Sequence, residues 1–185
     1  MLSKDVILIN GNRHEDSRGY FSEIYRRSKF FDAGISSNFV QDNLSLSNEP
    51  GTIRGLHYQS PPHAQAKLVR CISGSIFDVA VDIREDSKTF GHWIGFTLTE
   101  NNGDQLFIPE GFAHGFMTLT RNCLVLYKCS NYYDPKSEGS IIWNDPDIGV
   151  EWPSDCFSAI SPKDESAPRL KDIQTPFLLS GPKKA

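Results

Sequence analysis

The sequence predicts an all-β fold, an antiparallel sandwich or closed barrel. Three observations predict it. Short runs rich in β-branched and aromatic residues recur along the 185 residues, turn residues separate them, and amphipathic helical periodicity is sparse.

Taken in order, the runs are Tyr20 to Tyr25, Phe39 to Leu46, Thr52 to Tyr58, Lys67 to Ile72 and Ser75 to Ile83. They continue with Trp93 to Leu98, Gln105 to Ile108, Gly115 to Leu119, Cys123 to Cys129 and Ser140 to Trp143. Turn signals lie between them at Asn48-Glu-Pro-Gly51, Pro61-Pro62, Ser73-Gly74, Asn101-Asn-Gly103, Arg121-Asn122 and Asp145-Pro146. No helix-length segments alternate with these strands, which argues against βαβ units. In Phe77-Asp-Val-Ala-Val-Asp-Ile83, Phe77, Val79, Val81 and Ile83 share one face, and Asp78, Ala80 and Asp82 the other. A barrel with a ligand-holding lumen turns the small and acidic face inward; a sandwich turns it to solvent. Helix is expected only at Ser28 to Ala33, stopped by Gly34, with a short turn near Arg169. Beyond Trp152 the chain turns polar and proline-rich. One domain over residues 1–185 is therefore expected, with 171–185 a wrapping or flexible tail and Ser180 to Ala185 disordered.

Composition narrows the partners. A net charge of -4 does not favour nucleic acid or an anionic membrane. Apolar runs as short as Val6 to Ile9 cannot span a bilayer, and no basic segment followed by an apolar stretch marks a secretory signal. The four cysteines (Cys71, Cys123, Cys129 and Cys156) form no C-x-x-C pair. Reduced thiols in a cytoplasmic protein are expected, with Cys71 and Cys129 as small buried hydrophobes.

The stretch Arg54-Gly-Leu-His57 through Lys67 carries the chemistry. His57 can titrate near neutral pH, while Arg54 and Lys67 supply positive charge. A cationic pocket with a titratable base suits an anionic substrate that must lose a proton. Other readings remain open residue by residue. His57 and His114 can be hydrogen-bonded structural histidines, and Lys67 a solvated edge charge. Tyr127, between Leu126 and Lys128, can be a core aromatic; Asp164, in Ser-Pro-Lys-Asp, can be a turn or cap residue.

Gly103-Asp-Gln-Leu-Phe-Ile-Pro109-Glu-Gly111-Phe-Ala-His114 resembles the second motif of the cupin superfamily, G-x5-P-x-G-x2-H. In many cupins that histidine binds a metal. The first cupin motif, H-x-H with a glutamate, is not matched: Gln59 stands two positions after His57, and no glutamate lies in the expected stretch between His57 and Lys67. Two histidines beside a basic residue make a poor divalent-cation site, so no metal and no cofactor are expected.

Taken jointly, further motifs narrow the resemblance. Asp16-Ser-Arg-Gly-Tyr-Phe-Ser-Glu23, Gln41-Asp-Asn43, Arg54-Gly-Leu-His57 and Gln65-Ala-Lys67 closely resemble the dTDP-4-dehydrorhamnose 3,5-epimerases. So do Phe77 to Arg84, Gly111 to Phe116, Tyr127-Lys-Cys and Ser161-Pro-Lys-Asp164, so the likeness covers roughly residues 5 to 170. The resemblance implies a cupin fold and cofactor-free inversion of two carbons flanking the ketone of a dTDP-linked 4-keto-6-deoxy sugar. It implies His57 as general base, Asp164 as its carboxylate partner, Tyr127 as general acid and Lys67 as the cation at the enolate oxygen. It places Arg18, Glu23, Gln41, Asn43 and Arg54 against substrate. It does the same for Lys67, His114, Glu138 and Lys163, with Tyr133 stacking on the thymine ring. It also implies a homodimer in which the Arg18 to Glu23 strand serves the neighbouring subunit's site. Three alternatives stay open: a relative that inverts one carbon, a metal-dependent cupin enzyme, and a non-catalytic sugar-binding cupin.

Overall fold

Two five-stranded antiparallel sheets pack face to face and leave a polar opening between them at one end. The computed structural model describes residues 5–179 and the backbone of 181 and 182. In chain order the elements are β1 (Ile7–Ile9), β2 (His14–Asp16), β3 (Gly19–Phe21), α1 (Arg27–Asp32), β4 (Gln41–Ser47), β5 (Ile53–Gln59), β6 (Lys67–Ser73) and β7 (Ser75–Asp82). There follow β8 (Trp93–Thr99), β9 (Gln105–Ile108), β10 (Phe112–Thr118), β11 (Cys123–Cys129), β12 (Glu138–Ser140), α2 (Pro162–Glu165), β13 (Phe177–Leu178) and β14 (Gly181–Pro182). One sheet runs β1-β9-β6-β11-β4 and the other β12-β5-β10-β7-β8.

The alternation in β7 explains the layering. Ile76 and Ala80 point between the sheets, where they meet Val69, Cys71, Val125 and Phe116. Asp78 shares their parity and is fully buried with them. Phe77, Val79, Val81 and Ile83 face the other way, and Ile141, Ile148, Leu170 and Phe177 cover them. Each fully buried valine there contributes about 1.5–3 kcal/mol of hydrophobic stabilisation. Both faces of β7 are thus dry, and the small and acidic face is the inner one. Asp82 ends the strand differently: Arg84 donates to its two oxygens at 2.9 and 2.7 Å, and Ser87 and Thr89 add hydroxyl donors. Burial alone raises the Asp82 pKa, but these donors outweigh it and hold the carboxyl below its usual range.

The outer face of the first sheet is covered unevenly. Leu68 and Phe107 lie under Phe30 of α1 and under Ile35. Towards the β4 edge that cover ends, leaving Leu44 64% and Leu46 54% exposed.

Several boundaries differ from the sequence expectation. The strand expected over Tyr20 to Tyr25 is a hairpin of β2 and β3, after which 22–26 has no strand partner among the described residues. The strand expected from Gly115 starts at Phe112, and the one expected over Ser140 to Trp143 is β12, three residues earlier in its end point. In its place Ile141 exchanges backbone hydrogen bonds with Leu56 at 3.1 and 2.9 Å. Lys67 does not lie on an edge, since β9 and β11 flank β6. Where disorder was expected, Gly181 and Pro182 pair with Leu178 and Phe177; residues 180 and 183–185 lie outside the described residues.

Candidate active site

The site forms where the inner faces of the two sheets meet. β5 and β10 set His57 and His114 opposite each other in register. From the facing sheet come Lys67 on β6 and Tyr127 on β11, with Cys129 paired to Lys67. Gly55 permits the close approach of β5 and β10: it has φ +120°, and a Cβ there would fall 2.5 Å from Gly115 Cα.

Asp164 reaches the site through α2. Ser161 caps this helix, its Oγ accepting from the Asp164 N–H at 3.1 Å, and Pro162 supplies the first helical position. The Asp164 carboxylate then accepts from the Gly55 N–H at 3.3 Å and lies 2.6 Å from His57 Nε2. Burial pushes the Asp164 pKa up, yet the His57 contact, the Gly55 amide and Ser161 outweigh it, so the carboxyl titrates below its usual range. An ionised Asp164 requires the proton on His57 Nε2, which leaves Nδ1 with its lone pair. The side chain of His57 is 31% exposed and that of Asp164 only 4%, so the histidine is the more open member of the pair and the carboxylate lies buried behind it.

A cavity of about 750 Å³ is lined by Arg54, His57, Lys67, His114, Tyr127, Lys163 and Asp164, with Phe116 and Ile160 among its apolar walls. A neighbouring cavity of about 350 Å³ is lined by Gln41, Asn43, Tyr133 and Glu138. His57, Lys67 and Tyr127 line both. These volumes lie in the range of small-molecule sites.

The rim is tied together by polar contacts. Lys163 Nζ is 2.5 Å from Glu138 Oε1, and Tyr133 donates its hydroxyl to Glu138 Oε2 at 3.1 Å. The Tyr133 N–H donates to Gln41 Oε1 at 2.9 Å, and Gln41 donates onward to Asn43 at 3.0 Å. Arg54 donates to Ser47 Oγ and to the Leu46 carbonyl, each at 3.0 Å. Burial lowers the Lys67 pKa, with Cys129, Asp78 and Glu138 opposing it. Burial also raises the Tyr127 pKa; Cys129 adds to the rise and Arg54 counters it.

Eleven of the thirteen residues expected at the site line these two cavities. Arg18 and Glu23 do not. Arg18 is exposed and paired with Asp16, while Glu23 pairs with Arg26 at 3.0 Å and Lys29 at 2.9 Å. Two contributors escaped the sequence reading. Ser161 orients Asp164, and the S-P-x-D spacing of an N-cap was the available signal. Asp78 bonds His114 at 2.7 Å; its inward parity was legible, but its partner on a non-consecutive strand was not.

Facing antiparallel sheets around a polar cavity make this a cupin-type protein, and an imidazole–carboxylate pair opposed to an amine and a phenol equips it for acid–base catalysis. The family model for dTDP-4-dehydrorhamnose 3,5-epimerase matches residues 2–172. The chain belongs to that family, and so to the isomerases. It is 51% identical to the dTDP-4-dehydrorhamnose 3,5-epimerase of Salmonella typhimurium over 167 residues, 90% of this chain and 91% of that one. It superposes with TM-score 0.90 on dTDP-6-deoxy-D-glucose-3,5-epimerase from Legionella pneumophila in complex with dTDP-4-keto-L-rhamnose, at 43% identity over 94% and 92% of the two chains. A 3'-monoepimerase from Streptomyces bikiniensis in complex with dTDP-quinovose is also similar, with TM-score 0.84 and 33% identity over 90% and 84%.

Proposed function

We propose that this chain inverts carbons 3 and 5 of dTDP-4-dehydro-6-deoxy-D-glucose, giving dTDP-4-dehydro-L-rhamnose, without metal or cofactor. The observation that carries the reading is the sharing of His57, Lys67 and Tyr127 by both cavities. A sugar at that junction can meet a base, a cation and a phenol at once.

The proposed steps use only these side chains. His57 Nδ1 takes the proton from the carbon beside the ketone, and the C–H electron pair moves into an enolate. Lys67 donates a hydrogen bond to the developing oxyanion, where one well-placed donor is worth about 3–4 kcal/mol. Tyr127 returns a proton to the same carbon from the opposite face, and the ketone re-forms with inverted configuration. The imidazolium then loses its proton to solvent and the phenolate regains one. Asp164 stabilises the imidazolium while it lasts. The same cycle at the other flanking carbon completes the double inversion.

For the rest of the substrate, Arg54 and Lys163 neutralise the pyrophosphate, arginine by bidentate contact. Tyr133 stacks on the thymine ring, while Gln41, Asn43, His114 and Glu138 hold the sugar and nucleoside by hydrogen bonds. Arg18 completes the pyrophosphate end of a second copy's site, and Glu23 contacts the substrate there. The displacement of both residues from their own cavity and the bare apolar edge at Leu44 and Leu46 support that homodimer. The free cysteines fit a cytoplasmic location. Incubation of the purified protein with the substrate, followed by NMR of the product, tests the reaction. Inversion at both carbons is expected; inversion at one alone would make this a monoepimerase.

A further inference from the structure

Asp78 lies mid-strand in β7, and its side chain is fully buried on the lumen side. Oδ1 is 2.7 Å from His114 Nε2, and that histidine is itself only 7% exposed. Oδ2, equally buried, has no hydrogen-bond partner among the described residues. A carboxylate stripped of water and half satisfied is costly, and an apolar residue of its size would pack the barrel better. Packing therefore does not account for it.

The cavity's cations point to what does. Arg54 is engaged by Ser47 and Leu46, and Lys163 by Glu138. Lys67 rises from the facing sheet to line the same cavity as His114, the partner of Asp78, and the Asp78 charge, after that of Cys129, offsets the lowering of the Lys67 pKa by burial. We propose that Asp78 is a positioning residue for the reaction: it holds His114 as the neutral Nε2–H tautomer and is the counter-ion that keeps the Lys67 ammonium charged where the enolate forms. This rests on the reading of Lys67 as the enolate's partner.

The other groups around Lys67 are less suited to that task. Cys129 of β11 has its thiol pKa driven up by burial, so it stays neutral. Glu138 of β12 is held by Lys163 and Tyr133. His57 of β5 and His114 of β10 carry no negative charge, and Tyr127 of β11 titrates above the usual phenol. Burial lowers the His114 pKa and Asp78 opposes it, while Lys67 and His57 lower it further. His114 engages only Oδ1, and Oδ2 has no hydrogen-bond partner among the described residues.

The sign of the effect follows. Burial already lowers the Lys67 pKa, and a nearby anion raises it; removing the anion lowers it again. Lys67 must be protonated to act, so activity falls on the alkaline side as it loses its proton. Asp78→Asn keeps the shape and removes the charge. Two quantities are measured in wild type and in this variant: the pH profile of kcat/KM, and the NMR titration of enzyme labelled with carbon-13 at lysine Cε. Lys67→Arg assigns the Lys67 signal by its disappearance. The alkaline limb and the Lys67 midpoint are expected to move together to lower pH by about one unit or more. A folded variant with an unmoved midpoint overturns the proposal. If Asp78→Asn does not fold, nitrogen-15 shifts of the wild-type His114 ring decide. A neutral Nε2–H form supports the assignment, and an Nδ1–H form or an imidazolium at neutral pH overturns it. Wild-type enzyme lacking epimerase activity would instead sink the catalytic reading, and the Lys67 midpoints would still test the counter-ion.

Discussion

Tyr127 shows how one side chain serves two ends. It packs against the inner apolar cluster, and its ring also lines both cavities. Removing only the hydroxyl should therefore leave the fold intact and change the stereochemistry. In Tyr127→Phe, deprotonation by His57 continues but no donor waits on the opposite face. We expect solvent deuterium to enter the starting epimer while inversion falls by about 100-fold or more, read by NMR of recovered substrate. Undiminished inversion would remove the phenol from the reaction. Tyr127 also marks what sequence can convey about such a residue. Its place in an apolar strand favoured a core aromatic over an acid, and only the family resemblance reversed that. The two roles share one rotamer because the strand's inner face is both core and cavity wall.

Among elements, the β5–β10 pair matters most because it brings two histidines into register. Its spacing depends on Gly55, whose φ of +120° and crowding against Gly115 and the His114 carbonyl exclude a side chain. Gly55→Ala should separate the strands and lower Tm by about 4 °C or more, since left-handed strain alone costs about 1–2 kcal/mol. A melting curve superimposable on wild type would contradict that. The long strands were legible because residues such as those of β7 alternate over eight positions. β1 and β13, three and two residues long, were not, because so short a run carries no periodicity and only its partner defines it. The hairpin of β2 and β3 was misread as one strand for a related reason. Its apolar residues Tyr20 and Phe21 are 55% and 69% exposed, so their pattern does not reflect burial in this chain.

For the whole molecule, the split of the expected site is the informative result. Eleven residues converge on one opening, while Arg18 and Glu23 stand away from it. No spacing in a sequence states whether a residue serves its own copy or another. If the second copy supplies Arg18, mixing inactive Arg18→Ala and His57→Ala proteins after joint refolding should restore activity above either parent, because one mixed site is wild type. Activity equal to the sum of the parents would place Arg18 in its own chain's site.

Carbon-bound hydrogen at positions 3 and 5 of the sugar, followed by NMR in deuterated water, reports most directly on the imidazole that faces the cavity. Wild type should exchange both positions for deuterium, and His57→Ala should slow both by about 100-fold or more, as expected for loss of a positioned base. Exchange at the wild-type rate in the folded His57→Ala protein would contradict the account.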